Sequence, residues 1–317
     1  MLETFAASYP KLYLAVLIIA SLAVLVKSAD MLLFGIVKWA KHLGLSDYLV
    51  GLFVIAIVAS FPELVSSITG AWMGEPGIVV GTILGSNICG LTFLLGSMAL
   101  VGRKMNIRSK LFDKVKLIVL LFTILPVILL IDSKLTKIDG IILIAAYIGY
   151  LMFLWKKEGE LGTLKKNVNL KDIWKHGLVF LLALVALLLS GRWLVFGSVE
   201  LAKQYNITPF IIGTFLLGLV GQLPDLLVII RSEVKGHKDI GMGDLLGSTI
   251  TKSLLFLGVI VLFKPLTIPF TTILVSGIVL FIAMSSVLYF MQEGWITWKG
   301  GLYMLLLYMI FIFIELI

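Results

Sequence analysis

Apolar residues in this chain run for about twenty positions at a time, and the polar residues gather between the runs. A hydrocarbon core about 30 Å thick takes about 20 residues of helix, because every backbone polar group in lipid must be satisfied within its own segment. The pattern predicts ten membrane-spanning helices: Leu12–Ala40, Tyr48–Met73, Gly77–Val101, Val115–Ile131, Ile138–Trp155, Gly177–Ala202, Pro209–Val234, Ile240–Phe263, Phe270–Met291 and Gly300–Ile314. The short alternating strands of a closed barrel are absent. The fold class expected is therefore an all-α polytopic membrane protein.

The runs are not independent of one another. Pro62-Glu63-Leu64 recurs 162 positions later as Pro224-Asp225-Leu226, and Gly81, Leu84, Gly85, Ser86 and Ile88 recur as Gly243, Leu246, Gly247, Ser248 and Ile250. The same offset relates Phe34-Gly35 to Phe196-Gly197 and Leu95-Gly96 to Leu257-Gly258. A segment rich in Lys, Glu and Gly, from Lys156 to Lys171, separates five spans from five. The expected organisation is a five-helix repeat over residues 1–157, a basic cytoplasmic linker over 158–171, and a second repeat over 172–317. An odd number of spans per copy inserts the second copy upside down, giving an inverted-topology pair.

Charge sets the expected orientation. Of the 26 Lys and Arg residues, 18 lie by the loops of one side and five by those of the other; Lys27, Arg192 and Lys252 remain within spans. The positive-inside rule then puts both termini outside, and the cell membrane is the expected location. The net charge of +8 reads as topology rather than as a nucleic-acid surface. With 60% hydrophobic and 14% charged residues and a mean hydropathy of +1.10, the chain lacks the polar surface of a soluble domain. The single cysteine, Cys89, cannot form an intrachain disulfide. The apolar run from Leu12 leads into a charged segment without a cleavage site, so no removable signal peptide is expected. His42, His176 and His237 have no metal-ligand spacing, and no P-loop, dinucleotide fingerprint or nucleophile–base pair is visible, so neither an enzyme nor a cofactor is expected.

Chemistry concentrates in the repeated stretches. Proline at 62 frees a carbonyl about one turn earlier, near Val58 and Ala59, beside the acid Glu63. Gly221-Gln222-Leu223-Pro224-Asp225 repeats the arrangement. Carboxylates with freed carbonyls suit Ca²⁺ or Na⁺, which prefer oxygen ligands; a kinked helix with a neutral glutamic acid is the plainer reading. Recurrence at the matching position favours the ion site, with the two acids converging near the midplane. Ser86 and Ser248 add candidate hydroxyls, while the glycines before them equally suit close helix packing. Lys252 falls one turn beyond Ser248, where the first copy has Gly90. A buried ammonium needs a partner, and Asp225 or Glu63 would supply it unless the side chain snorkels to an interface. Glu63, Asp225 and Lys252 together carry a formal charge of −1. Asp30 and Arg192, at matching positions of spans 1 and 6, either pair or face the polar boundary.

On these residues the chain resembles the Ca²⁺/cation antiporter superfamily, especially prokaryotic sodium/calcium exchangers. Members carry a G-T-S-L-P-E core in each repeat, followed by a G-[small]-x-x-G-S-N segment. Here the cores read Val58-Ala59-Ser60-Phe61-Pro62-Glu63 and Val220-Gly221-Gln222-Leu223-Pro224-Asp225, and the partner segments run from Gly81 to Asn87 and from Gly243 to Thr249. The resemblance implies alternating access, with spans 2, 3, 7 and 8 enclosing the ions and spans 1 and 6 sliding across them. It implies Glu63 and Asp225 as central carboxylates and metal ligands, and Ser60, Ser86 and Ser248 as ligating hydroxyls. The departures are Ala59 for threonine, Gly221-Gln222 for Thr-Ser, Gly90 for Asn/Asp, and Lys252 for an acid, all at positions that help to hold Na⁺ in sodium-coupled relatives. The function expected is secondary exchange of Ca²⁺ against Na⁺ or H⁺ with reduced sodium sites, Lys252 replacing a bound cation or acting in proton coupling. The alternatives are a monovalent-cation/proton exchanger or an organic-ion carrier on the same fold, and, from another class, a channel or membrane scaffold. Its partners would be inorganic cations and the lipid bilayer, with no nucleic acid and no obligatory protein partner.

Overall fold

A computed structural model describes residues 10–42, 56–107, 116–158, 170–223, 225–226 and 238–316. Helices dominate it. In chain order they are α1 (Pro10–His42), α2 (Ala56–Ala59), α3 (Phe61–Met73), α4 (Pro76–Gly102), α5 (Lys116–Leu129), α6 (Lys137–Glu158), α7 (Leu170–Tyr205), α8 (Pro209–Leu223), α9 (residues 238–263), α10 (Phe270–Glu293) and α11 (Trp298–Leu316). Among the described residues six helices are long and apolar enough to cross a membrane, and α8 and the α5 region form shorter apolar helices. The chain is an integral membrane protein, with exposed apolar residues such as Leu182, Met309 and Phe313 on its outer faces.

Most predicted spans coincide with observed helices to within a few residues. The second does not run through: it breaks at Ser60, which joins α2 to α3 with φ −85° and ψ 6°. The cause is Pro62, whose ring nitrogen donates nothing to the carbonyl one turn earlier. Helix α7 begins at Leu170, seven residues before the predicted Gly177. The part of span 7 beyond Leu226, and the predicted linker up to residue 169, lie outside the described residues.

Two features were not legible as sequence pattern. Helices α4 and α9 each contain a π-helical stretch, Gly90–Leu94 and Thr251–Phe256, at nearly the same place in the repeat. Each helix also leads into a short strand: β1 (Lys104–Asn106) after α4 and β3 (Leu266–Thr267) after α9. β1 pairs antiparallel with β4 (Trp295–Thr297), and β3 with β2 (Lys134–Leu135). These strands are too short for alternation to be read in advance. Their registers obey the 162-residue offset with partners exchanged: Lys104 faces Thr297 and Leu266 faces Leu135, while Met105 faces Ile296 and Thr267 faces Lys134.

Glycine contacts repeat the exchange. At Gly96 a Cβ would lie 2.8 Å from the Gly301 carbonyl oxygen, bringing α4 against α11; at Gly140 it would lie 2.9 Å from that of Gly258, bringing α6 against α9. Gly81 and Gly85 lay α4 on the backbone of α8 at Phe210 and Thr214, and Gly213 and Gly218 return the contact at Ile78 and Ser86. Helix backbones this close gain dispersion along their length, the main source of helix association in lipid. Long helices α1 and α7 pack along each other through Ile18, Leu25, Leu194, Val195 and Val199. The larger apolar core lies across α4, α6, α9, α10 and α11.

Candidate functional site

The break at Ser60 starts a new helix in the middle of an apolar segment, and Glu63 falls in its first turn. A carboxylate there faces the positive end of the helix dipole. Glu63 is nonetheless buried, at 1% exposure. Room for its carboxyl group comes from Gly221 of α8: a Cβ at that position would collide with Glu63 Cγ and Cδ.

Glu63 Oε1 accepts hydrogen bonds from Gln222 Nε2 at 3.2 Å and from Lys252 Nζ at 3.3 Å. The same Nζ lies 3.8 Å from Asp225 Oδ2. One ammonium thus bridges the two acids singled out by the repeat, with all three groups essentially inaccessible. Ser248 Oγ lies 3.2 Å from Asp225 Oδ2 and 3.2 Å from the Leu245 carbonyl oxygen, so its single proton serves one or the other. Asn87 Nδ2 donates to Ser253 Oγ at 2.8 Å, tying α4 to the π-helical stretch that carries Lys252. A π-helical turn is held by weaker geometry than an α-helical one and is frequent at functional sites.

The remaining expected residues are placed less centrally. Val58, Ala59 and Ser60 are buried around the helix break, and the Ser60 carbonyl accepts from Leu64 N at 3.1 Å. Ser86 is buried, and its hydroxyl donates to the Ile83 carbonyl 3.2 Å away on its own helix. A side chain at Gly90 would collide with Gln222 Oε1, so the Gln222 amide fills the space a residue at 90 would take. Arg192 is exposed on α7 and Asp30 is half-buried on α1.

Sequence reasoning gave no role to Asp244. It is fully buried in α9, one turn before Ser248, and neither of its carboxylate oxygens has a hydrogen-bond partner. Glu63 Oε2 and Asp225 Oδ1 likewise have none. The available signal was an acid within an apolar span, at a position the first copy fills with Thr82. Counting Asp244, the buried charged groups are three carboxylates and one ammonium, so their formal charge is −2 rather than −1. Among the described residues no three His, Cys, Asp or Glu side chains converge as a ready-made metal cluster. The ammonium stands between the acids instead.

These charges sit in a chain with clear relatives. The sodium/calcium exchanger MaX1 of Methanosarcina acetivorans is 25% identical over 336 residues, spanning 91% of this chain and 95% of its own. The inner membrane protein YrbG of Escherichia coli is 28% identical over 261 residues, spanning 78% and 79%. A solved structure of the sodium–calcium exchanger NCX_Mj, soaked with Na⁺ and Sr²⁺, superposes with a TM-score of 0.69 at 26% identity, covering 95% of this chain and 98% of that one. The profile of the sodium/calcium exchanger protein family matches residues 13–156 and 175–317, nearly the whole chain. The chain belongs to the sodium/calcium exchanger family, a family of cation antiporters rather than enzymes.

Proposed function

We propose that this chain is a secondary active antiporter that works by alternating access, exchanging Ca²⁺ against Na⁺ or H⁺. Glu63 and Asp225 are its principal cation ligands. Ser60 and Ser248, the backbone around Val58, Ala59 and Gly221, and the amide of Gln222 complete the shell, with Ser86 at its edge. The observation that carries this reading is the buried bridge in which Lys252 lies 3.3 Å from Glu63 and 3.8 Å from Asp225. It holds two acids, one from each half of the sequence, in a place without solvent. An intramembrane ionisable cluster of this kind is retained for ion handling, because it costs several kcal/mol that apolar packing would not.

The organisation we infer is two inverted five-helix repeats, residues 1–157 and 172–317, joined by the 158–171 linker in the cell membrane with both termini outside. The exchanged strand registers and glycine contacts support a two-fold relation between the halves. Helices α1 and α7 form the moving pair.

Lys252 occupies the place of a bound monovalent cation. Its ammonium neutralises both acids while the carrier is unloaded, and it withdraws from them when a divalent ion enters. Na⁺ sites are correspondingly reduced. Reconstitution tests this: Ca²⁺ uptake into proteoliposomes is expected under an opposing Na⁺ or H⁺ gradient, and is lost in the Glu63→Gln, Asp225→Asn double variant. Flux that ignores the counter-gradient would mean a channel. Sodium-driven Ca²⁺ uptake left intact by Lys252→Ala would overturn the part given to Lys252. A fixed cation between the acids also suits a monovalent-cation/proton exchanger or an organic-ion carrier; calorimetric titration with Ca²⁺, Na⁺ and K⁺ separates these.

A further inference from the structure

We propose that Asp244 is a further cation-binding carboxylate, which gives the cavity the charge a divalent ion requires in spite of Lys252. The inference rests on the antiporter reading above and concerns which groups bind. Lys252 faces one oxygen of each central acid, Glu63 Oε1 and Asp225 Oδ2. The other oxygens, Glu63 Oε2 and Asp225 Oδ1, have no hydrogen-bond partner, and neither do Asp244 Oδ1 and Oδ2. Buried carboxyl oxygens left without donors are unfavourable unless a proton or a cation answers them. These four oxygens are of the hard kind that Ca²⁺-like ions prefer.

Placement puts Asp244 near the bridge. Asp244, Ser248 and Lys252 follow one another at intervals of four along α9, which keeps them on one face. Ser248 reaches Asp225, so Asp225 stands beside the middle of this row, one turn from Asp244. The 162-residue offset adds an independent argument. In the first copy the corresponding positions are Thr82 and Gly90, both neutral. The second copy has gained one negative and one positive charge eight residues apart on the same helix. With both present, the cluster keeps the −2 that Glu63 and Asp225 would have alone.

The test is calorimetric titration of the purified full-length protein with Ca²⁺, comparing native protein with Asp244→Asn. Asparagine matches the size of the acid while removing its charge and one acceptor oxygen. A role in binding predicts at least a tenfold loss of Ca²⁺ affinity, since one of three anionic ligands has gone. The same comparison is repeated in a Lys252→Met background, where no ammonium is left without its counter-charge; this carries the test should Asp244→Asn alone fail to fold, as judged by thermal unfolding. There too Asp244→Asn is expected to weaken Ca²⁺ at least tenfold. Unchanged affinity in both backgrounds would overturn the inference, leaving Asp244 a neutral structural group. Failure of the native protein itself to bind or exchange any cation would instead overturn the antiporter reading.

Discussion

Lys252 is held by two carboxylates and Gln222 by one. Gln222 fills the space beside Gly90, and the offset that carries Gln222 to Ser60 carries Gly90 to Lys252. Large and small have been exchanged between the copies. Removing one partner of a buried ionic network leaves the other charges uncompensated, at a cost of about 3–5 kcal/mol. Lys252→Met is therefore expected to lower the thermal unfolding temperature of the cation-free protein, and added Ca²⁺ is expected to close most of the gap with native protein, because ligand bound only to the folded state stabilises it. A gap that persists at saturating Ca²⁺ would show that the lysine does not stand in for an ion. Gly221→Ala places a methyl group against Glu63 and displaces its carboxylate. Ca²⁺ affinity should fall sharply, with overpacking of about 1–3 kcal/mol in stability.

Among the helices, contact geometry rather than hydrophobicity decides which pairs touch. In lipid no hydrophobic force sorts one apolar helix from another, so association falls to close backbone packing. At Gly85 a Cβ would overlap the backbone of Thr214, whereas at Gly149 nothing lies within 4 Å. Gly85→Ala is expected to destabilise by about 1–3 kcal/mol, as an overpacked interface does. Gly149→Ala should be neutral or stabilise by about 0.5–1 kcal/mol, the helix-propensity gain. Thermal unfolding in detergent ranks the two, and equal effects would contradict the packing account. Besides a π-helical stretch at Ile212–Leu217 in α8, the bundle has irregular backbone at the helix break at Ser60 and in the π-helical stretches Gly90–Leu94 and Thr251–Phe256. Irregular backbone survives in lipid only when buried in protein or lining a cavity, and these elements meet around the charged cluster.

Across the whole molecule, the proposed motion makes a geometric demand. α1 and α7 share a continuous apolar seam, with Gly197 against Ile18 and Leu17, while α7 touches the site-bearing α3 at Gly191 and Val65. If α1 and α7 slide as one pair across the remaining helices, a cross-link within the pair is harmless and one between α7 and α3 is not. In a Cys89→Ala background, an Ile18→Cys, Gly197→Cys disulfide is expected to preserve Ca²⁺ exchange in proteoliposomes, and a Val65→Cys, Gly191→Cys disulfide to arrest it until reduced. Full exchange with the second disulfide formed would exclude this sliding pair.

Much of this was determined by the order of residues alone. Lipid leaves a spanning segment almost no choice but a helix, so apolar length reports the spans, and the 162-residue repeat reports Glu63 and Asp225 as a matched pair. The family follows from the same motifs. Tertiary structure decided what periodicity does not encode. The exchanged strands are two or three residues long, set by which helix ends meet. Gln222 turns towards Glu63 because Gly90 leaves it room, and Gly221 leaves the room that the Glu63 carboxyl group occupies beside Lys252. Asp244 looked like an ordinary polar member of a glycine-rich motif. The role proposed for it rests on burial and on oxygens left without donors, and those are properties of neighbours distant in sequence.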